Sequence, residues 1–219
     1  MSLQYEKDVQ NIVRILNLAH NPDVAKIRTK FFAQEDLFFC REIQGTRVLV
    51  AGSGLGYEAM ELARFNTEVI GVEILSPLVV LANKEKEKRE ILNPSFEQGD
   101  IIKLRFPDKY FGAAVLNMGT IGNFDDKLSV VRELLRVAHK VILDFYTTNQ
   151  KHFEERTRMY EEEGWKNVHV EGITFVSDDG LESKSIEESE FEDIAKKLNI
   201  HVRFHPFYSF AKMAVFQKL

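Results

Sequence analysis

Apolar positions near the N-terminus recur at helical spacing. Leu3, Val9, Ile12, Val13, Ile15, Leu16 and Leu18 stand among charged and amide residues over 3–19, close to the 3.6-residue period of an amphipathic helix. Asn21-Pro22-Asp23 reads as a helix stop and restart, because proline suits a first helical position. A second short helix is predicted from Val24 to Phe39, with Phe31, Phe32, Leu37, Phe38 and Phe39 as core or as the underside of a lid.

From Arg47 the pattern shortens to buried strands separated by helices. Val48–Ala51, Glu68–Val72, Ser95–Gln98, Ala113–Asn117 and Lys140–Phe145 read as strands, and 58–65, Pro77–Arg89 and Lys127–Val137 as helices. Strands that alternate with helices imply parallel pairing, since parallel neighbours need a crossover. The charged run 84–90 is a solvated helix face. The last third predicts a charged helix at 151–163, strands at 168–176 and 183–187 around the turn Ser177-Asp178-Asp179-Gly180, and a helix at Glu190–Leu198. Two strands close the chain at Ile200–Phe204 and Phe210–Gln217, with His205-Pro206-Phe207 turning between them. The expectation is an α/β fold: a three-layer Rossmann-like sheet, mostly parallel with an antiparallel C-terminal edge strand. A helical cap over 1–40 precedes the main domain over 41–219.

Composition narrows the function classes. A length of 219 residues with 44% hydrophobic suits one well-packed core with an appended segment. With 34 acidic against 29 basic side chains the net charge is −5, so a general affinity for nucleic acid or anionic membranes is not expected. No run approaches the ~20 apolar residues of a membrane span, and the first residues lack the features of a signal peptide. A cytoplasmic protein is expected. The single cysteine, Cys40, excludes an internal disulfide and reads as a half-buried thiol near the first strand. The histidines at 20, 139, 152, 169, 201 and 205 show no ligand spacing, so no metal is expected.

Candidate chemistry concentrates in VLVAGSGLGYEAMELA, residues 48–63, where Gly52, Gly54 and Gly56 lie between a strand and a helix. Glycine permits positive φ and close approach of a ligand, and a helix N-terminus offers unpaired N–H groups. The spacing departs from the dinucleotide pattern G-x-G-x-x-G, because Tyr57 stands where the third glycine belongs. A P-loop is absent as well. The second strand ends in Glu73, a carboxylate placed to accept both hydrogen bonds of a ribose diol.

With these residues in family order, the chain resembles the class I S-adenosylmethionine-dependent methyltransferases over roughly residues 40 to 219, of small-molecule type. The resemblance rests on the glycine turn, Glu73, EQGDI at 97–101 and FGAAVLNMGTIGN at 111–123. It implies cofactor contacts at Ala51, Gly52, Ser53, Gly54 and Gly56, at Glu73 and Ile74, at Asp100 and Ile101, and at Asn117, with S-adenosylhomocysteine as product. Asp100 also reads as a turn cap, and Asn117 as a loop cap or substrate contact. Asn117 and Tyr146 are the candidate catalytic residues, and Tyr5, Asn123 and Tyr57 further pocket candidates. A looser likeness of 120–123 and 179–186 to methyltransferases of amino-acid-like amines implies an acceptor pocket shaped by the hairpin after the fifth strand.

Two positions depart from the family. Val50 replaces the acidic residue two places before the first glycine, and Gly112 replaces the aspartate that usually opens the fourth strand. The second loss reads as structural. Transfer from a sulfonium needs alignment more than acid–base catalysis, although an amine acceptor must lose its proton, to a nearby Tyr, His or Asp if not beforehand. The leading expectation is a small-molecule N- or O-methyltransferase, with oligomeric state, homodimer included, left open. An RNA or protein methyltransferase and a non-catalytic cofactor-binding module stay as alternatives.

Overall fold

The computed structural model describes residues 3–218, of which 3–8 are described by backbone alone. Two 17-residue helices, α1 (Leu3–Ala19) and α2 (Lys26–Glu42), precede the sheet. The restart comes at Lys26, after Pro22, because Asn21 closes a turn. Its carbonyl accepts from Val24 and Ala25 and its side chain from the Asp23 N–H. The second helix is thus longer and later than the pattern predicts.

The α/β core follows as β1 (Arg47–Ala51), α3 (Tyr57–Leu62), β2 (Glu68–Glu73), α4 (Ser76–Lys88), β3 (Ser95–Gln98), β4 (Phe111–Leu116), α5 (Lys127–Val137) and β5 (Ala138–Tyr146). After β5 come α6 (Phe153–Glu162), the short strands β6 (His169–Glu171), β7 (Thr174–Val176) and β8 (Glu182–Lys184), then α7 (Glu188–Leu198), β9 (His201–Tyr208) and β10 (Ala211–Gln217). The main sheet has the order β3-β2-β1-β4-β5-β10-β9. It is parallel through β5, and β10 joins it antiparallel with β9 outside.

Period-two alternation sends β1 side chains to both faces. Leu49 and Ala51 join a core with α5 and α7, while Val48 and Val50 join one with α2, α3 and α4. Covered on both sides, these strands read as continuous apolar runs.

Two details differ from the pattern. Residues 168–176 form two strands, β6 and β7, which with β8 make a separate three-stranded sheet. His205-Pro206-Phe207 lies inside β9, and the chain turns later, between Tyr208 and Ala211. Proline survives there because β9 is the edge, where a missing ladder N–H does little harm. Among the described residues no helix is long and apolar enough to cross a membrane.

Candidate functional site

The chain reverses direction across the sheet between β1 and β4, and a cavity of about 480 Å³ opens at the carboxyl ends of these strands, where open α/β sheets bind ligands. The turn after β1 holds Gly52 at φ 65°, Gly54 at 52° and Gly56 at 83°. Four of its five N–H groups are already committed. Gly52 and Ser53 donate to the Val72 carbonyl (2.8 and 3.1 Å), Gly56 to the Ser53 carbonyl (2.8 Å) and Gly54 to Glu73 Oε2 (3.0 Å). The expected set of unpaired donors is therefore not formed by these residues. What faces the cavity is bare backbone beside a carboxylate, a surface that repels phosphate and suits an uncharged sugar.

The three glycines serve different ends. A Cβ on Gly52 would meet nothing nearer than 3.7 Å, and one on Gly54 nothing nearer than 3.8 Å, so both open into the cavity. One on Gly56 would come within 2.3 Å of the Phe96 ring. Gly56 packs α3 against β3 and, like the fully buried Ala51, does not line the cavity.

Glu73 is 7% exposed and accepts from the Leu75 N–H at 3.0 Å through Oε1. Each carboxylate oxygen then keeps accepting capacity for a vicinal diol. Ile74 and Ile101 line the same stretch. Asp100 does so too, while its Oδ1 caps the turn from the Ile102 N–H at 3.0 Å. The capping role and a free Oδ2 coexist. Ser53 Oγ and Asn117 Nδ2 are buried with no hydrogen-bond partner among the described residues. Such orphans are rare, and both residues line this one cavity.

The loop after β4 forms the opposite wall. The Asn117 carbonyl accepts from Thr120, Met118 and Gly119 take positive φ (59° and 65°), and the Gly119 N–H reaches both oxygens of Asp144 at 2.8 and 2.9 Å. A Cβ on Gly119 would lie 2.2 Å from the Tyr146 ring. The Tyr146 hydroxyl accepts from Arg28 Nη1 (2.8 Å) and donates to the Met118 carbonyl (3.2 Å). Burial raises its pKa well above the phenol range, which disqualifies it as a base at neutral pH; it positions the loop instead. Burial pushes Asp144 up to about 7. Glu58, also on the wall, stays below the usual carboxylate range: burial opposes its charge, but His20, 3.7 Å away, and the hydrogen-bonding groups around it together outweigh that.

Asn123, Leu181 and Ser183 line the cavity, so the 3-10 turn Thr120–Asn123 and the hairpin both contribute. Tyr57 does not line it; its ring stacks on His20, with centroids 4.2 Å apart. Tyr5 falls among the side chains outside the described residues. Val50 is fully buried one layer below. Gly112 is explained by crowding, since a Cβ there would lie 1.9 Å from Thr46 Oγ1. The sequence pattern missed His20, Glu58, Arg28, Glu163, Tyr160 and Trp165, all of which line the cavity. For Arg28 a signal existed: Arg28, Phe31, Glu35 and Phe39 share the buried face of α2, and charges on an aromatic stripe seldom lack a purpose.

Residues 49–141 match the family model described as a methyltransferase domain. The chain is 28% identical over 113 residues to the uncharacterized methyltransferase YcgJ of Bacillus subtilis (50% of this chain, 44% of that one). It is 31% identical over 109 residues to 2-phytyl-1,4-naphtoquinone methyltransferase of Synechocystis (47% and 46%). The chain thus spans about half the length of the curated relatives it matches. Among solved structures, the PH0226 protein of Pyrococcus horikoshii superposes with TM-score 0.69 at 22% identity, covering 91% of this chain and 97% of that one. A SAM dependent methyltransferase from Aquifex aeolicus gives 0.67 at 16%, covering 94% and 97%. At these identities the likeness is one of fold.

Proposed function

We propose, from the premise that residues 49–141 are a methyltransferase domain on a class I Rossmann-like frame, that this chain is an enzyme. It transfers the methyl group of S-adenosylmethionine to a nitrogen or oxygen of a small molecule. The observation that carries this reading is the contact between Glu73 and the Gly54 N–H. It consumes a donor that a pyrophosphate would need and puts a carboxylate where a ribose diol fits.

The residues present fit that cofactor. Glu73 would take the ribose hydroxyls, Asp100 Oδ2 an adenine amino group with Ile101 against the ring, and the backbone at Gly52 and Gly54 the methionine portion. Ser53 Oγ and Asn117 Nδ2 supply polar partners otherwise left orphaned. When bound, S-adenosylmethionine supplies a methyl group already activated on a sulfonium.

The protein's task is then to align the acceptor and exclude water, which can contribute up to roughly 7–11 kcal/mol. Asn117 and the loop held by Tyr146 and Asp144 orient the acceptor. Neither Asn117 nor Tyr146 can take its proton. An amine acceptor therefore enters neutral or gives its proton to a group on the cavity wall such as His20.

Thermal unfolding with S-adenosylmethionine, S-adenosylhomocysteine and NAD tests the reading. A ligand at 100 times its Kd adds about 2.7 kcal/mol, a rise of roughly 5–10 °C for a chain of this size. Both sulfur nucleosides should produce it and NAD should not. Glu73→Ala should weaken S-adenosylhomocysteine at least about tenfold, given ~1.5–3 kcal/mol for a hydrogen bond to a charged group. A response to NAD alone overturns the assignment.

A further inference from the structure

Two arginines are sunk behind the acceptor wall, and the charge around them does not balance. Arg28 is 2% exposed and Arg156 is 0%. Arg28 pairs with Glu163 through Nε. Arg156 spends its donors on neutral oxygens: Ser185 Oγ at 2.7 Å, Ser183 Oγ at 2.8 Å and the Tyr160 hydroxyl at 3.0 Å. Its guanidinium carbon lies 3.8 Å from the centre of the Tyr146 ring and 4.1 Å from that of Phe175. None of the ion pairs among the described residues includes Arg156. Of the other acids nearby, Glu58 faces His20, while Glu35 and Asp144 are fully buried, Asp144 engaged by the Gly119 N–H, and burial disfavours the charged form of both. A buried cation without an anion is costly, so this side of the cleft favours an incoming negative charge.

Arg28 provides the contact point. With Nε on Glu163 and one Nη1 hydrogen on Tyr146, Nη2 has no acceptor among the described residues, and Arg28 lines the cavity. The free Nη1/Nη2 edge is the part of a guanidinium that grips a carboxylate with two parallel hydrogen bonds. Its partners come from the end of β5 and from the residue after α6, none from the glycine turn, so the edge belongs to the acceptor half.

We propose that the methyl acceptor is a small carboxylate, gripped by the Nη1/Nη2 edge of Arg28 while its apolar body lies against Tyr160, Trp165 and Leu181. This rests on the methyltransferase reading above and narrows its substrate class. Neutral amines and phenols of the same shape are poor acceptors.

The test pairs acids with neutral twins: anthranilate with aniline, 3-hydroxybenzoate with phenol, phenylalanine with its amide. Binding to the protein saturated with S-adenosylhomocysteine is followed by calorimetry, and transfer by radiolabelled methyl. At least one acid should bind and be methylated ten times better than its twin. In Arg28→Lys and in the charge-balanced double variant Arg28→Met with Glu163→Gln, that preference should fall below threefold. Binding of S-adenosylhomocysteine and of 5′-methylthioadenosine, which lacks the amino-acid portion, controls for folding. Both should stay within threefold of wild type.

No acid surpassing its twin on the wild-type protein overturns the proposal, as does a preference that survives in both variants. Tenfold loss of S-adenosylhomocysteine with 5′-methylthioadenosine unchanged overturns it differently, by showing that Arg28 holds the cofactor's own carboxylate. Failure of both nucleosides to bind wild type removes the methyltransferase reading beneath it.

Discussion

The cofactor half of the cleft is made from neighbours in the chain, and the acceptor half from segments far apart. Gly54 and Glu73 are 19 residues apart. Arg28 and Tyr146 are separated by 118 residues, and Arg28 and Glu163 by 135. The first half follows from two consecutive strand-to-helix crossovers, so wherever the sheet forms, the turn and its carboxylate meet. The second exists only once α1, α2, β5, α6 and the small sheet have docked. Its polar groups are buried ones, favourable when all partners are present and costly when one is missing. The cofactor half should therefore tolerate loss of a ligand contact, and the acceptor half should couple site chemistry to stability.

The largest expected effect breaks the local half from within. Gly56→Val drives side-chain atoms into Phe96 and forces a β-branched residue to φ 83°. Overpacking of ~1–3 kcal/mol and positive-φ strain of roughly 1–2 kcal/mol together lower Tm by about 5–15 °C. Gly54→Val meets open space, so it should lose only the strain while abolishing S-adenosylhomocysteine binding. Equal Tm losses for the two variants would show that the turn is one packing unit and that Gly54 is no ligand surface.

The same contrast governs what could be read from the sequence. The succession of strands through β5, the glycine turn and Glu73 were legible because each is announced by a local pattern that an α/β crossover demands, whereas Asp100 and Ile101 came only through the family resemblance. The fate of the turn's N–H groups was not, since it depends on the Val72 carbonyl and the Glu73 side chain in the neighbouring strand. Gly56 carries the same letter as Gly54, yet its reason is Phe96 on β3, which only the packed sheet reveals. Pro206 reads as a turn until β9 is seen to be an edge. Arg156 looks like an ordinary helix-surface residue, and although Arg28 falls on the aromatic face of α2, no spacing rule links α2 to α6. Val50 hides in the same way, as an apolar residue whose neighbours are all long-range.

A smaller effect tests the coupling expected of the acceptor half. Burial holds Asp144 protonated up to about pH 7, whereas an unfolded aspartate ionises near 3.8. Between these values the native chain binds the extra proton, so this group's contribution to stability is present below about pH 4 and fades as pH rises through 7. Asp144→Asn does not titrate and keeps an oxygen for the Gly119 N–H. Urea unfolding at pH 4.5 and 7.5 should show the variant gaining on wild type by on the order of 1 kcal/mol or more at the higher pH. A pH-independent difference would mean that Asp144 is charged in the folded chain and that the loop after β4 is held by a carboxylate throughout.

The smallest effect expected marks where the cleft ends. Tyr57 begins α3 directly after the glycine turn, so the chain alone places it beside the cofactor. In the folded protein its ring is held between His20, at 4.2 Å between centroids, and the Arg89 guanidinium, 5.0 Å from the ring centre. A phenylalanine ring keeps both of those contacts. Tyr57→Phe should therefore keep S-adenosylhomocysteine affinity within about twofold and stability within ~0.5 kcal/mol. A tenfold loss of affinity measured by calorimetry would place the hydroxyl on the ligand and move the boundary of the cofactor half past the first turn of α3. His20, which Tyr57 stacks upon and which lines the cavity, would then have to be counted with the cofactor rather than with the acceptor.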